Sequence, residues 1–339
     1  MSGTSLDGLD LALCRFSEEN GTFQYEVLKT STLPYPPEWA QRLQQVENGS
    51  AAELGFAHAA YGRYLGERSK EFLQDHKADL ISSHGHTIFH QPERGFTFQL
   101  GSGAGIAAAA GVRTVCDFRT TDVALGGQGA PLVPIGDELL FGSYAACLNI
   151  GGIANVSYRE NDKRVAYDLC AANMVLNALS RKAGKTYDED GAMARSGTVD
   201  AALLEQLNAL PYYKKPFPKS LGKEHVLAEV FPLLQRAEIS LENLLRTFTE
   251  HAAQQIAKSF EKISGAVLAT GGGAHNTFLI ERIRALSGAQ IVVPDRATVD
   301  FKEAIVFAFL GWLRVNGKIN SLRSVTGAGR DSVGGCVYE

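Results

Sequence analysis

A short turn of small residues, followed by strands and then a helix, occurs twice in this chain. In the first half, GTSLDG leads into an alternating run that predicts a strand at Asp10–Phe16, and a second strand is predicted at Phe23–Thr30. In the second half, CLNIGGIANVSY predicts a strand, a Gly151-Gly152 turn and a strand, RVAYDL a further strand, and ANMVLNALSRKAG a helix. This repetition predicts two related α/β units.

The remaining pattern alternates strands and helices. In the first half, strands are predicted in ADLISSHGHTIFH, FTFQLG and VRTVCDF, and helices near Glu38–Glu47, Ala51–Asp75 and Ala104–Ala110. In the second half, strands are predicted in AVLAT and IVVPD, and helices near Asp200–Leu207, His225–Leu234, Leu241–Ile263 and Phe301–Val315. We expect an N-terminal lobe at 1–135, joined by a returning segment at about 316–339, and a C-terminal lobe at 136–315.

Composition excludes several classes of protein. The net charge is −4 and there is no Lys/Arg block, which argues against a nucleic-acid partner. Five scattered cysteines without Cys-x-x-Cys spacing are typical of reduced thiols in a cytoplasm. No apolar run is long enough for a membrane span and no signal peptide is recognisable, so we expect a cytoplasmic protein without a membrane partner.

Three glycine-rich turns, GTSLDG, NIGGIAN and TGGGAHN, adjoin predicted strands. Glycine lets backbone amides approach an anion without a Cβ in the way. Three such turns suit a polyphosphate, although any one of them alone is better explained as a simple tight hairpin. The chain has no Walker motif, and no GxGxxG opens a helix in a dinucleotide-binding context.

Three aspartates lie beside predicted strands: Asp7, Asp122 and Asp168. Phosphoryl transfer from a nucleotide needs magnesium, which takes one or two carboxylates, and a base that prepares the nucleophile. These aspartates could supply both roles. The alternative is structural, because aspartates at such positions often cap helices or stabilise turns.

Three histidines occur in SHGHTIFH, at His84, His86 and His90. Their spacing allows a metal site on a helix or on a strand. Gly85 and the mixed context favour a loop, in which histidines hydrogen-bond a sugar hydroxyl. We therefore expect no catalytic metal at these histidines.

Ten phrases of the chain resemble one family, in the expected order: MSGTSLDGLDLAL, SHGHTIFHQP, FQLGSGAGIA, CDFRTTDVALGGQGAPLVPIGDELLF, LNIGGIANVS, YDEDGAMARSG, PKSLGKEH, TGGGAHN, FKEAIVFAFL and SVTGA. The chain resembles the anhydro-N-acetylmuramic acid kinases over essentially its whole length. The resemblance implies a two-lobed actin-like ATPase fold, a duplicated ribonuclease-H-like α/β architecture with an interdomain cleft. It also implies ATP, Mg²⁺, an anhydro-sugar substrate from cell-wall turnover and a homodimer.

The resemblance also assigns residues. Asp122 in DFRTTD would be the catalytic base that activates water for attack on the anomeric carbon, while the opened bridge oxygen takes the γ-phosphoryl group. Asp7 and Asp168 would hold magnesium through water, and His84, Arg119 and Gln128 would bind the sugar. The residues implied for ATP are Gly3, Thr4, Ser5, Leu6, Asp7, Gly8, Leu9, Asp10, Gly151, Gly152, Asn155, Gly272, Gly273 and Asn276.

The chain departs from the family pattern in three places. His86 stands where glutamine is usual, and DLCAAN has Cys170-Ala171 in place of a Gly-Pro pair. The family also has several apolar residues before Met-Ser-Gly-Thr, which would form the strand that enters GTSLDG. We expect from this that the natural polypeptide starts several residues before Met1.

Other functions stay open at this stage. One is a kinase for another 1,6-anhydro sugar, such as levoglucosan. Another is a nucleotide-binding sensor or scaffold that has lost phosphotransfer, against which the intact Asp7, Asp122 and Asp168 argue. A metal-dependent carbamoyl-transfer relative on the same fold rests only on His86 and His90.

Overall fold

The computed structural model describes residues 1–3, 6, 8–217 and 219–339. The strands are β1 Leu9–Glu19, β2 Thr22–Leu33, β3 Ile81–Ser82, β4 His86–Gln91, β5 Phe96–Leu100, β6 Thr114–Cys116, β7 Ala146–Ile150, β8 Ile153–Glu160, β9 Lys163–Ala171, β10 Ala266–Thr270, β11 Gln290–Val292 and β12 Cys336–Tyr338. The helices are α1 Pro37–Gln45, α2 Ala51–Leu73, α3 Gly103–Ala110, α4 Thr120–Ala124, α5 Pro134–Leu139, α6 Asn173–Arg181, α7 Ala192–Ser196, α8 Ala201–Asn208, α9 Lys223–His225, α10 Phe231–Arg236, α11 Leu241–Lys258, α12 Thr277–Ser287, α13 Arg296–Val315 and α14 Arg323–Thr326. A π-helical turn at Val226–Val230 joins α9 to α10, and short 3₁₀ turns lie at Val46–Asn48, Pro92–Arg94, Glu189–Gly191, Pro211–Lys214 and Gly272–His275.

The chain divides into two compact units. Unit 1 contains Met1–Leu140 and Phe301–Glu339, and unit 2 contains Phe141–Asp300. Our sequence boundaries differ, since they placed the whole of 136–315 in the C-terminal lobe. The reason is α13: from Phe301 onward its buried face packs within unit 1.

Two contacts explain how α13 joins unit 1. Lys302 Nζ lies 2.6 Å from Asp137 Oδ1, and both side chains are buried. A Cβ on Gly136 would come within 2.5 Å of Val306, so the absence of a side chain lets α5 approach α13 closely. Burying an ion pair requires good geometry between the charges, which makes this a specific attachment.

Unit 2 is built on a five-stranded sheet in the order β11-β10-β7-β8-β9. Strand β7 pairs antiparallel with β8 and parallel with β10, and β8 and β9 form an antiparallel hairpin. The central β7 buries one face completely, with Ala146, Leu148 and Ile150 each 0% exposed, and Cys147 on the other face is 2% exposed. This sheet confirms the α/β class and is the arrangement expected for a ribonuclease-H-like unit.

Unit 1 has smaller sheets. Strands β1 and β2 form a hairpin, β12, β6 and β3 form a three-stranded sheet, and β4 pairs with β5. Helix α3 packs tightly against α2 at Gly62 and Gly66. A Cβ on Gly62 would lie 2.5 Å from Ser102 O, and one on Gly66 would lie 2.6 Å from Ile106 O. Close packing of helix backbones explains the small-residue composition of GAGIAAAA.

Most predicted strands and helices are present, with ends that differ by a few residues. The loop predicted around the histidines is wrong for His86 and His90, which both lie in β4 and pair with β5. Gly85, at φ +71°, ends the preceding segment and lets the chain start a new strand one residue later. None of the helices among the described residues combines the length and apolarity of a membrane span.

A neutral histidine is buried in unit 2. His251 on α11 is 0% exposed, its Nδ1 lies 2.7 Å from Asn208 Oδ1 and its Nε2 lies 2.9 Å from Tyr213 Oη. Asn208 Oδ1 can only accept, so Nδ1 carries the proton and Nε2 accepts from the tyrosine. Burial lowers the pKa of His251 to about 3.

This histidine should make stability fall with acidification. Between pH 7.5 and 5.5 the unfolded chain takes up a proton near the ordinary pKa of 6.5, whereas folded His251 does not. The free energy of unfolding should therefore drop by about 1.4 kcal/mol from this group alone. We expect His251→Gln to have a lower free energy of unfolding than the unchanged protein at pH 7.5, but a smaller decrease in that free energy between pH 7.5 and 5.5. Denaturant unfolding at the two pH values measures both quantities. Equal pH dependence in both proteins would contradict this assignment.

Candidate active site

Two of the glycine turns lie side by side in unit 2. Because β7 and β10 are parallel neighbours, the turns that follow them, NIGG and TGGG, meet at the same edge of the sheet. A Cβ on Gly271 would lie 2.5 Å from Asn149 Oδ1, and one on Gly273 2.2 Å from Ile150 Cγ2. Glycine is therefore required for the two turns to pack backbone against backbone.

The NIGG turn is held from one side by α6. Gly151 O accepts from Asn173 N at 3.1 Å, and Gly152 O accepts from Ala172 N at 2.9 Å and Met174 N at 3.1 Å. In a trans peptide the C=O and the following N–H point in opposite directions. The N–H groups of Gly152 and Ile153 therefore point away from α6, as a turn that binds an anion requires.

The altered DLCAAN segment still supports this turn. Asn173 Nδ2 donates to Ile150 O at 3.2 Å, so the retained asparagine ties α6 to the end of β7. Cys170 and Ala171, which replace the Gly-Pro pair, are fully buried at the end of β9. Burial raises the pKa of the Cys170 thiol to about 12, so the thiol stays protonated and unreactive at neutral pH.

An open cleft of about 1020 Å³ lies beside the TGGG turn, wholly within unit 2. Gly272 is exposed in it, and a Cβ there would meet nothing closer than Asn173 Nδ2 at 3.7 Å. Asn276 Oδ1 accepts from Leu279 N at 2.9 Å and caps α12, which leaves its amide NH₂ group for the cleft. The volume and the mixed lining suit a nucleoside.

Asn155 and Asp168 are cross-strand partners in β8 and β9, so their side chains share one face of the sheet. Asp168 Oδ2 accepts from Leu221 N at 2.8 Å and from Ser220 Oγ at 3.3 Å. Burial raises the pKa of the Asp168 carboxyl, and these hydrogen bonds oppose the rise. Its other oxygen, Oδ1, suits a water of a hydrated magnesium ion, so the residue fits the expected role.

Asp122 lies in unit 1, on the short helix α4. Its Oδ1 accepts from Ser321 Oγ at 2.7 Å and from Thr326 Oγ1 at 2.8 Å, while its Oδ2 accepts from Gly129 N at 2.8 Å. The residue is 1% exposed. Three donors from two distant segments of the chain thus fix the orientation of a buried carboxylate.

The turn Gly126–Gly129 covers this carboxylate. A Cβ on Gly127 would lie 2.2 Å from Asp122 Oδ2, so only a residue without a side chain fits at this place. Gln128 N also donates to Thr326 O at 2.8 Å, which holds the turn against the C-terminal segment. In this conformation the turn shields the Asp122 carboxylate from bulk solvent.

His84 and Arg119 were both predicted on the sugar side, and they are in contact. Arg119 Nη2 lies 2.9 Å from His84 Nε2, and Arg119 Nη1 donates to Gly129 O at 2.6 Å. Burial and the neighbouring Arg119 charge lower the pKa of His84 well below its usual value. His84 is therefore neutral, with Nδ1–H directed at its neighbour Gly85 O and Nε2 accepting from Arg119. The exposed side chain of Gln128 lies on the same turn as Gly129.

The three histidines do not converge on one point. The Nδ1 atom of His86 is 2.8 Å from Ser2 Oγ, and that of His90 is 3.1 Å from Thr97 Oγ1, whereas His84 contacts Arg119. Within the described part of the chain no three His, Cys, Asp or Glu side chains form a group that could hold a metal ion. Each histidine has a local partner that accounts for its position.

The GTSLDG segment is described only in part, since Thr4, Ser5 and Asp7 lie outside the described residues. Leu6 N donates to Gly3 O at 3.2 Å. Gly8 directly precedes β1, and a Cβ on Gly8 would lie 2.7 Å from Leu33 O. Leu9 and Asp10 belong to β1, and Asp10 Oδ1 accepts from Thr32 Oγ1 at 2.6 Å, so its carboxylate is engaged with β2.

Sequence reasoning missed three residues near this site. Ser321 and Thr326 hold Asp122, and only Thr326 lay in a quoted phrase, SVTGA. Glu303 on α13 keeps an exposed surface. Desolvation on folding raises the pKa of its carboxyl, and the positive charge of Arg119 acts in the opposite direction, so the two charges interact. Glu303 lies in FKEAIVFAFL, one of the ten phrases that resemble the family, and that resemblance could have identified it.

Known proteins resemble this chain along its whole length. A family model described as anhydro-N-acetylmuramic acid kinase matches residues 1–339. Relatives of that name include one from Pseudomonas putida, 39% identical over 100% of this chain and 98% of its own, and one from Gloeobacter violaceus, 36% identical over 97% and 95%.

Among solved structures, the (R)-2-hydroxyglutaryl-CoA dehydratase component A of Acidaminococcus fermentans is 13% identical with a TM-score of 0.45, over 93% of this chain and 96% of that one. The full-length match to the family model and the two sequence relatives are decisive. The chain therefore belongs to the anhydro-N-acetylmuramic acid kinase family.

Proposed function

We propose that this chain uses ATP to convert 1,6-anhydro-N-acetylmuramic acid into N-acetylmuramic acid 6-phosphate, hydrolysing the anhydro bridge in the same reaction. Membership of the family and the full-length relatives of that name support this activity. The observation that carries it is the fixed carboxylate of Asp122, held by Gly129 N, Ser321 Oγ and Thr326 Oγ1. It provides a positioned general base for the attacking water.

The bond changes follow from that role. A water oxygen bonds to the anomeric carbon, and the proton of the water passes to the Asp122 carboxylate. The bond between the anomeric carbon and the bridge oxygen breaks, and that oxygen takes the γ-phosphoryl group as ADP leaves. The free lone pair for the proton is on Oδ2, because Oδ2 accepts one hydrogen bond whereas Oδ1 accepts two.

Arg119 links this base to the sugar side. Its guanidinium contacts neutral His84 and holds the carbonyl of Gly129, whose N–H binds Asp122. Movement of the Gly126–Gly129 turn would therefore be transmitted to Arg119 and to the exposed amide of Gln128. We assign these three residues to recognition of the sugar, with the turn moving when substrate binds.

The nucleotide would be bound by unit 2 with the first glycine turn. The backbone N–H groups after Gly151 and Gly152 suit its phosphates, and the cleft beside Gly272 and Asn276 suits its nucleoside. Magnesium, held through water by Asp168 together with Asp7, would neutralise charge on the phosphates. The side chain of Asn155 lies on the same face of the sheet as that of Asp168, and we assign Asn155 to binding of the nucleotide phosphates as well.

The proposed product places the enzyme in the recycling of cell-wall sugars. That role fits a cytoplasmic enzyme with reduced thiols, and burial raises the pKa values of Cys14 and Cys116 to about 12. A homodimer is part of the same proposal and is tested by sedimentation of the full chain.

Asp122→Asn is the direct test of the base. Asparagine keeps the shape and can still accept from Gly129 N, but it cannot take the proton. We expect kcat to fall by about 10²–10⁴-fold while ATP affinity and melting temperature change little. Turnover is measured by product analysis with ATP, magnesium and the anhydro sugar.

Ser321→Ala is the matched control for that variant, because it removes one donor to Oδ1 and leaves the carboxylate in place. Its kcat should fall far less than that of Asp122→Asn. Turnover of Asp122→Asn close to that of the unchanged protein would exclude Asp122 as the base.

Gly272→Ala tests the nucleotide cleft. A methyl group there fits the protein, with its nearest neighbour at 3.7 Å, but it occupies space assigned to the nucleotide. The KM for ATP should rise about tenfold or more, without a loss of stability. Initial rates at varied ATP and a melting curve measure both quantities.

Gly55→Ala is the control for that substitution. Gly55 is exposed on α2, and a Cβ there has no atom within 4 Å among the described residues. Its KM for ATP should be unchanged. An unchanged KM in Gly272→Ala as well would show that the nucleotide binds elsewhere.

A further inference from the structure

Two cysteines lie opposite each other in the three-stranded sheet of unit 1. Cys336 of β12 is the direct antiparallel partner of Cys116 of β6, and the pairing continues through the next residue pair, Val337 with Val115. The side chains of directly opposite residues lie on the same face of a sheet, with their Cβ atoms about 4.5–5.5 Å apart. The register of one short strand therefore brings together two thiols that are distant in the sequence.

Among the strands that the structure describes, no other cysteine lies opposite a cysteine. The residues opposite the other three carry no thiol: Val27 lies opposite Cys14, Ser157 and Leu268 lie opposite Cys147, and Ala154 lies opposite Cys170. Cys147 and Cys170 are also buried, whereas Cys336 is exposed to solvent. The strand register therefore distinguishes Cys116 and Cys336 from the other thiols of the chain.

The backbone hydrogen bonds show how far apart the strands are at this pair. Ser83 N donates to Val115 O at 2.8 Å, so the backbone groups of Val115 face β3. Successive residues of a strand face opposite neighbours, so the backbone groups of Cys116 face β12 and exchange hydrogen bonds with Cys336. The Cα atoms of such a pair are about 5.5 Å apart, which is within the usual range for a disulfide, and the Cβ atoms need to approach by only about 1 Å.

Each of the two thiols has an open side. Cys336 is exposed, and its Sγ donates to Asp117 Oδ2 at 3.8 Å. Cys116 is 8% exposed, but it lines a cavity of about 200 Å³ that also adjoins Asp117 and Tyr338. Burial raises the pKa of Cys116 to about 12, and the charges of Asp117 and Cys336 add to the rise. The two sulfur atoms therefore lie within electrostatic reach of each other.

We propose that Cys116 and Cys336 are a modification site at which a low-molecular-weight disulfide, such as oxidised glutathione, forms a reversible disulfide bond between β6 and β12. The exposed Cys336 reacts first. Its thiolate attacks one sulfur of the small disulfide, which forms a mixed disulfide and releases one small thiolate. The Cys116 thiolate then attacks the Cys336 sulfur and releases the second. The protein loses two electrons and two protons, and the small disulfide is reduced to the two thiols that take them up.

The position of the pair in the sheet makes the bond reversible. Opposite Cβ atoms in a sheet are further apart than those of an unstrained disulfide, so the bond stores strain that favours its reduction. Both thiols have raised pKa values and are protonated at neutral pH, so exchange in either direction is slow. The pair is reduced when the small thiol is in excess, and it becomes oxidised when the small disulfide accumulates.

The bond would fix the C-terminal segment onto β6. Asp122 follows β6 along the chain, and two of its hydrogen-bond donors, Ser321 and Thr326, precede β12. A covalent link between these strands therefore connects the segment that carries the carboxylate to the segment that holds it. We expect the link to suppress local opening of β12. The site does not depend on the proposed activity of the enzyme.

The test equilibrates the full chain with mixtures of reduced and oxidised glutathione at mildly alkaline pH, with and without denaturant. Acid quenching, alkylation of free thiols and mass spectrometry of proteolytic peptides give the fraction joined between Cys116 and Cys336. The equilibrium constant for this disulfide should be about tenfold or more larger in the folded chain, because the sheet holds the thiols at a high effective concentration. An equal or smaller constant in the folded chain, or a bond to another cysteine, would overturn the proposal.

A matched variant moves the thiol by one residue along β12. Cys336→Ser combined with Val337→Cys keeps a cysteine at nearly the same distance along the chain but places it on the opposite face of the sheet. Its disulfide with Cys116 should form no more readily in the folded chain than in denaturant, whereas Cys14→Ser should retain the full difference. Equally ready formation in the shifted variant would show that the register does not join the thiols, and the proposal would be wrong.

Hydrogen exchange measures the effect of the bond on β12. The N–H groups of Cys336 and Tyr338 face β6. Their exchange should slow by about tenfold or more in the oxidised chain and return to its original rate after reduction with dithiothreitol. Exchange at Leu268 of β10, in unit 2, should be unchanged and serves as the internal control. Unaltered exchange of both β12 amides in the fully oxidised chain would contradict the fixing of β12.

Discussion

The parallel pairing of β7 with β10 is the contact on which the arrangement of unit 2 depends. It aligns the ends of two strands that are distant in the sequence, so that NIGG and TGGG pack against each other. Gly271 and Gly273 are required at that contact by the closeness of Asn149 and Ile150. Helix α6 then docks on the turn through its first N–H groups, which sets the direction of the turn's own amides.

The buried Asp122 carboxylate has the same organising role in unit 1. A buried charge is costly unless hydrogen bonds compensate it, and here two of the three donors come from residues about 200 positions later, Ser321 and Thr326. The C-terminal segment must therefore return to the first half of the chain. Helix α13 makes this return, and its Lys302–Asp137 ion pair fixes it in unit 1.

Local sequence pattern predicted much of this fold. The turns at Gly151-Gly152 and Gly271–Gly273, the strands around them and the long amphipathic helices are encoded by periodicity and by glycine, which act over a few residues. His84 and Arg119 are in contact, but their assignment to the sugar side rested on resemblance and stays a prediction.

Long-range contacts were not predictable in the same way. The sequence of an amphipathic helix such as α13 shows which face is buried but not which unit that face packs against. For this reason the sequence placed α13 in the C-terminal lobe, whereas the helix belongs to unit 1 from Phe301 onward. The hydroxyl donors to Asp122 carry no local signal, because serine and threonine are common in turns. His86 and His90 were placed in a loop because Gly85 resembles a loop residue, whereas it only separates two segments.

The steric limit at Gly127 has a consequence for how this chain can change. Every amino-acid replacement of glycine adds at least a Cβ, and at this position that atom would lie 2.2 Å from Asp122 Oδ2. Its neighbour Gln128 is exposed and faces no such limit, whereas Gly126 has space for a side chain but a φ of +82°, which residues other than glycine rarely adopt. Random mutagenesis of this turn should therefore yield very different numbers of tolerated residues at each position, and a directed library gains diversity at 128 while codons 126 and 127 are left fixed.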